Sequence, residues 1–438
     1  MRRTQRTLRA AVVVVLTALA SSVAADAAAS PVDLFGFGAR GEGMAGAIQA
    51  TATGFESVYY NPAGLGFDRR PSFALGYQYG VLDLEVGGEP FEALDTPALN
   101  IGFGVPIPFG GALARRVSLG LGFTIPQTSI LIADIEAPGN PTFVVVENRA
   151  QTVSVQGALA LRIHDGLALG VGAIALAELD GDIAVAPNAA GRLGSKVRDE
   201  LRADYALVAG LIVRPLAFDS CVDNDERLAV SLTYRGESRA DFDLPITADL
   251  GDDFAIPIPE LAVSGTAQYD PAEVSLEVAG RPLPWLLVAA GVTWSEWSTF
   301  PLPIGYSAVP EGTPPQPDPG FEDTLAVRLG AEVTAPLGDE IRLVPRLGFA
   351  LEPSPVPDQT GFHNHLDGDR TILALGLGLR VGSVRFDLAG QWHAIAERTS
   401  VKDPDDPQAG PASGNPGFPT ITSRGDLWLF SVEVGLEL

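Results

Sequence analysis

From Trp428 to the C-terminus, apolar and polar residues alternate with a period of two. Trp428, Phe430, Val432, Val434, Leu436 and Leu438 oppose Leu429, Ser431, Glu433, Gly435 and Glu437. Side chains alternate sides along a strand, so one wholly apolar face and one mostly polar or small face predict a two-sided strand. The same pattern recurs upstream. Val384, Phe386, Leu388, Gly390 and Trp392 oppose Arg385, Asp387, Ala389, Gln391 and His393, and Leu325, Val327, Leu329, Ala331 and Val333 oppose Ala326, Arg328, Gly330 and Glu332. Fourteen such segments are counted. They begin near Ser72, Asn100, Val117, Gln151, Leu167, Asp204, Arg227, Ala272, Trp285, Thr324, Ile341, Thr371, Val384 and Leu427.

The connections between them alternate short and long. Gly382-Ser383, Leu337 to Glu340 and Ile163 to Gly166 are tight, whereas Pro301 to Asp323, Ser354 to Asp369 and Thr399 to Asp426 are long and rich in Pro, Gly and Asp. A soluble sandwich also alternates, but its connections obey no such rule. An even strand number with short turns at one end and long loops at the other is the pattern of a bacterial outer-membrane barrel. Closing the sheet satisfies every backbone group inside lipid. The expected fold is therefore an all-β transmembrane antiparallel barrel of about 14 strands. Trp392, Trp428 and Trp294 fall on apolar faces near strand ends, where aromatic belts lie.

The N-terminus reads differently. Arg2, Arg3, Arg6 and Arg9 precede an apolar run from Ala10 to Ala20 and then small residues to Ser30. That is a secretory signal peptide, because the run falls short of the roughly 20 residues of a spanning helix. Pro31 to Phe67 lacks the alternation and carries Gly36, Gly38, Gly41, Gly43 and Gly46, which let backbone pack closely. A compact segment of small residues ahead of a barrel is suited to fill its lumen. Gly36, Gly38 and Gly41 imitate a dinucleotide fingerprint, but no βαβ context surrounds them.

Composition narrows the function. The 438 residues hold 29 Lys+Arg against 54 Asp+Glu, a net charge of −25, so a nucleic-acid partner is excluded for want of a basic face. The single Cys221 allows no internal disulfide and no thiolate metal site. No metal and no other cofactor is expected. His363, His365, Asp367 and Asp369 read as a solvated extracellular loop rather than a metal site. His393 stands on the inner face of its strand with no serine on that strand's inner face, which argues against a hydrolase. Inward charges such as Arg328, Glu332, Arg342, Arg346, Arg385 and Asp387 come in both signs and read mainly as a paired ladder.

Several motifs resemble the FadL-type outer-membrane transporters of long-chain fatty acids and other hydrophobic compounds, which include aromatic-hydrocarbon transporters. They are Gly43-Met44-Ala45-Gly46-Ala47, Tyr60-Asn61-Pro62-Ala63-Gly64-Leu65, Trp294-Ser295-Glu296-Trp297, and Ser354-Pro355-Val356-Pro357-Asp358 followed by Asp367-Gly368-Asp369-Arg370. The chain departs from the family's pattern in ending on Leu438 rather than an aromatic residue, and at Gly368. The resemblance implies a signal peptide at 1–29, an N-terminal hatch at 30–70 and a barrel at 71–438, in the outer membrane of a Gram-negative bacterium. It implies passive uptake of a fatty acid or other hydrophobic small molecule, with hatch rearrangement and lateral exit near the third strand. Asn61, Pro62 and Ala63 match the hatch motif. A monomer among outer-membrane lipid and lipopolysaccharide is expected. The alternative is a non-transport barrel, either structural or adhesin-like, or a lipid hydrolase.

Burying an alkyl chain gains about 0.8 kcal/mol per CH₂, so a lumen pocket must be apolar. Inward strand positions are mostly polar or small, which leaves the lining to the hatch and loops: Phe35, Phe37, Phe55, Ile130, Leu131, Ile132, Ile256 and Ile258. Arg328 and Arg346 are candidate anchors for a carboxylate. Proline has no N–H for the ladder. Pro126, with Gly120 and Gly122, therefore marks an expected kink and wall opening between Gly120 and Gln127 in a third strand running from Val117 to Leu131.

Overall fold

The structure is a computed structural model that describes residues 32–127, 139–146, 153–187, 193–218, 227–248, 261–302, 304–306 and 316–438. Fourteen antiparallel strands form a closed wall. They are β1 (Ser72–Val86), β2 (Thr96–Pro106), β3 (Val117–Pro126), β4 (Ser154–His164), β5 (Leu167–Pro187), β6 (Leu193–Val213) and β7 (Leu228–Arg235). The circuit continues through β8 (Glu273–Leu283), β9 (Leu286–Ser295), β10 (Thr324–Val333), β11 (Ile341–Glu352), β12 (Arg370–Val381), β13 (Val384–Val401) and β14 (Thr420–Glu437). Each pairs with the next, and β14 returns to β1 from Ser72↔Glu437 to Val86↔Ser423. No open edge remains to need a partner in lipid.

The alternation maps onto the two faces. Trp428 and Phe430 are 41% and 60% exposed on the outside, while Leu427, Leu429, Ser431 and Glu433 between them are buried toward the lumen. Strand number and order agree with the sequence reading, and the starts of β6 and β14 do not. The structure extends β6 back to Leu193 and β14 back to Thr420. The added part of β14 reads Thr-Ile-Thr-Ser-Arg-Gly-Asp and pairs beyond the lipid-facing band, so it shows no apolar face.

Short turns, including Asp165-Gly166, Pro284-Trp285 and Gly382-Ser383, share one end with Ser72 and Glu437. That end faces the periplasm. At the other end a hairpin of Ser238–Ala248 and Leu261–Asp270 leaves the wall after β7 and runs parallel to the extension of β5. Pro345 divides the β10–β11 ladder. Pairing stops at Glu332↔Arg346 and resumes at Ala335↔Leu343, because proline cannot donate there.

Residues 32–67 fold into short helical turns, none longer than six residues. Gly36, Gly38 and Gly46 take positive φ, which folds the segment on itself. It hydrogen-bonds to β6, β7, β8, β10, β13 and β14 through Leu211, Arg235, Glu277, Glu332, Gln391 and Glu433. Contacts on so many sides of a closed wall place it in the lumen.

Candidate functional site

The segment sits close to the wall because lumen-facing wall positions are glycines. A Cβ at Gly122 would lie 2.9 Å from the Phe37 ring, one at Gly120 2.5 Å from Val58, and one at Gly330 3.0 Å from the Ala47 Cβ. Pro62 and Ala63 press on Gly170 of β5, and the Asn61 amide on Gly210 of β6. Asn61 accepts from the Ala63 N–H at 3.0 Å and donates to the Leu211 carbonyl at 3.4 Å. It thereby caps the 3₁₀ turn Pro62–Phe67 and ties it to the wall.

On the β10–β14 side the segment meets a charged chain. Arg40 and Arg346 each place Nε 3.0 Å from the same Glu332 oxygen. Arg346 also reaches Asp387 at 2.5 Å, Arg385 joins Asp387 at 2.8 Å to Glu433 at 2.5 Å, and Glu433 accepts the Ala39 N–H at 3.1 Å. Every member is buried or nearly so. Such a chain fixes the segment's register, because a charge moved off its partner in a dry site is costly.

On its extracellular side the segment leaves a cavity of about 80 Å³, lined by Phe35, Tyr59, Ile372, Arg235, Arg328 and Glu352 among others. Ligand pockets run roughly 300–1,000 Å³, so this cavity as it stands is too small for a ligand. Above it lies an apolar cluster: Leu34 and Phe35 of the segment, Phe143 and Val146 of the β3–β4 loop, and Leu84, Ile395, Leu427 and Leu429 of the wall. The wall's leucines were missed in the sequence. Leu429 belongs to the face that reads as polar, and that face turns apolar only near the extracellular end.

The sequence candidates separate into groups. Phe35 lines the cavity and packs edge-on against His393 at 5.1 Å. Phe37 and Phe55 pack on each other at 5.3 Å in the core between segment and wall, away from the cavity. Ile130, Leu131, Ile132, Ile256 and Ile258 lie outside the described residues. Arg328 lines the cavity, donates to Thr293 Oγ1 at 3.0 Å and pairs with Glu352. Arg346 does not reach the cavity; Glu332 and Asp387 hold it 3% exposed in the ladder.

Among the described residues β3 shows no break in its pairing. β3 pairs with β2 from Ala98↔Pro126 to Pro106↔Ser118, and with β4 from Val117↔Leu161 to Thr124↔Ser154, with no register shift. Gly120 and Gly122 make room for Val58 and Phe37 rather than a kink, and Pro126 ends the strand, where no donor is needed.

The extracellular histidines are buried, not solvated. His363 and His365 stack at 4.7 Å under Phe300 and Phe321. Burial, then the charges of His363 and Lys402, lowers His365 to about 3. Burial likewise raises Asp367, and it raises Asp68 at the periplasmic end to about 7. Among the described residues no three His, Cys, Asp or Glu side chains converge as a metal site. His393 Nε2 meets the Gln391 amide oxygen at 2.8 Å, an arrangement that holds the ring and activates no nucleophile.

Residues 19–435 match a family model described as outer membrane protein transport protein (OMPP1/FadL/TodX). The fold is similar to that of a FadL homologue of Pseudomonas aeruginosa, at 15% identity over 92% of this chain and 98% of that one, with a TM-score of 0.62. It is also similar to the P. putida toluene transporter TodX (14% identity, 93% and 99% coverage, TM-score 0.51). The Ralstonia pickettii toluene transporter TbuX resembles it to the same degree (15%, 92% and 98%, TM-score 0.50). No curated protein sequence matches it.

Proposed function

Since the chain belongs to the FadL/TodX family of outer-membrane transport proteins, we propose that it carries long-chain fatty acids inward through a lumen gated by residues 32–67. The chain is a transporter of hydrophobic compounds in the bacterial outer membrane, and not an enzyme.

One observation supports the finer reading above the others. A buried apolar cluster beneath the loops shares Phe35 with a cavity that Arg328 also lines. That pairing suits an alkyl chain with a carboxylate end, the apolar part gaining about 0.8 kcal/mol per buried CH₂ and the arginine meeting the head. Glu352 occupies Arg328 until ligand displaces it. With about 80 Å³ of space, entry requires the segment to move. That movement lifts Val58 and Phe37 out of the space at Gly120 and Gly122, and the ligand leaves sideways beside β3 once the β3–β4 ladder parts. The ligand's own gradient drives passage.

Aromatic hydrocarbons are the second reading, since TodX and TbuX are toluene transporters. Labelled oleate and toluene uptake in a strain lacking its own transporter separates the two. Native protein is expected to restore oleate uptake, with Arg328→Ala lowering it severalfold and leaving any toluene uptake intact. Restored toluene uptake without oleate uptake overturns the fatty-acid reading.

A further inference from the structure

A larger cavity, about 670 Å³, lies at the periplasmic mouth beneath β2–β5. Its size falls within the roughly 300–1,000 Å³ of ligand sites. Three stretches build it: Asp68-Arg69, where the luminal segment passes into β1; the β2–β3 turn, through Pro106, Ile107, Pro108, Ala114, Arg115 and Arg116; and the β4–β5 turn, through Arg162, Ile163, His164 and Asp165.

The charge of this cavity opposes that of the chain. The whole sequence has a net charge of −25, yet this cavity is lined by four arginines and two acidic residues, Asp68 and Asp165. Some of their donors are used locally. Arg116 Nη1 donates to the Ile163 carbonyl at 3.0 Å, Arg162 Nη2 donates to the Arg115 carbonyl at 3.0 Å, and Arg162 Nη1 stands 3.4 Å from Asp165. A guanidinium has five N–H donors, so most remain available. The guanidinium groups of Arg69 and Arg115 have no hydrogen-bond or ion-pair partner among the described residues.

Backbone strain points to the same place. Arg115 holds φ at 57, although Gly110 and Gly111 are near in the same turn. A side chain kept in the left-handed region is disfavoured, and such positions cluster where a ligand is bound. The turn is also apolar. Ile107 and Ile163 line the cavity, and Phe109 and Leu113 at its tip are 47% and 46% exposed. On the periplasmic side of an outer-membrane barrel, exposed apolar side chains beside arginines stand at the level of lipid head groups.

We propose that this cavity binds the anionic head group of an amphiphile, the arginines taking the head and the apolar β2–β3 turn lying beside its alkyl chain. Planar guanidinium groups bind phosphate and carboxylate alike, so the amphiphile is either a phospholipid of the periplasmic leaflet or a fatty acid. The proposal rests on the membrane placement and the cavity, and not on the transport reading.

The test uses the purified full barrel in a neutral detergent, titrated separately with dioleoyl phosphatidylglycerol, oleate and zwitterionic dioleoyl phosphatidylcholine. The variants are Arg69→Gln/Arg115→Gln and the charge-keeping Arg69→Lys/Arg115→Lys. Neither guanidinium bonds the described wall, so both variants are expected to fold, checked by heat-modified gel mobility. Binding of the anionic ligand is expected to weaken about tenfold in the Gln variant and much less in the Lys variant, with phosphatidylcholine unchanged. A loss confined to phosphatidylglycerol assigns the site to membrane lipid, and a loss extending to oleate assigns it to fatty acid as well. Equal binding of both anionic ligands by native protein and the Gln variant overturns the proposal, whatever the uptake assay shows.

Discussion

Arg346 and Asn61 show how differently single residues serve this lumen. Arg346 is shared between Glu332 and Asp387, so removing it leaves Glu332 to Arg40 and Asp387 to Arg385, and the buried chain one positive charge short. Arg346→Ala should destabilise the barrel by about 3–5 kcal/mol, read from urea unfolding in micelles. A change below about 1 kcal/mol would show that the pair is solvated. Asn61 works on the luminal segment alone. Asn61→Ala loses the cap and the bond to Leu211, about 1–3 kcal/mol of local stability. It should lower uptake while leaving insertion and heat-modified mobility unchanged, and unaltered uptake by inserted protein would remove this residue from the gate. Asn61-Pro62 was legible as a turn because its chemistry is local. Its partners Gly170 and Gly210 were not, because alternation reports that a strand position is small and never what fills the space. Arg346 was legible as part of a ladder, yet its separation from Arg328 depends on which strand height each occupies.

Strand number and order were readable because lipid imposes one rule on every outward position. The readable pattern stops where lipid stops, which is why the starts of β6 and β14 fell inside the true strands. Proline was the weaker guide. Pro345 does divide a ladder, whereas Pro126 sits at a strand end and divides nothing. Exit beside β3 therefore requires a ladder that is intact here to open. Phe123 and Val155 face each other across β3 and β4, and antiparallel partners stand about 4.5–5.5 Å apart at Cα, within disulfide range. In a Cys221→Ser background, Phe123→Cys/Val155→Cys should pass ligand when reduced and block it when oxidised. Full uptake through the bridged protein would move the exit to the periplasmic end.

As a whole the molecule is a rigid wall with two coverings, loops above and the luminal segment within. The loops bury His365 in its neutral form, since its folded value of about 3 lies below the usual 6.5. The unfolded loop takes up a proton first as pH falls, so this contribution is full above about 6.5 and is lost progressively toward 3. Amide exchange around residues 356–366, corrected for intrinsic rates, should therefore quicken between about pH 7.5 and 5. His365→Phe should remove His365's share and leave the opposite dependence of buried Asp367, and identical protection at both values in the native protein would contradict it.

For ligand to pass, the luminal segment must move. An ideal Cβ at Gly330 of β10 lies 3.0 Å from that of Ala47, so Ala47→Cys/Gly330→Cys can bridge segment to wall after a small shift. Oleate uptake is to be measured with this pair in a Cys221→Ser background, oxidised and then reduced in the same cells. The bridged protein should be inactive and recover on reduction. Uptake that continues at the native rate with the bridge fully formed would show that ligand passes a stationary segment.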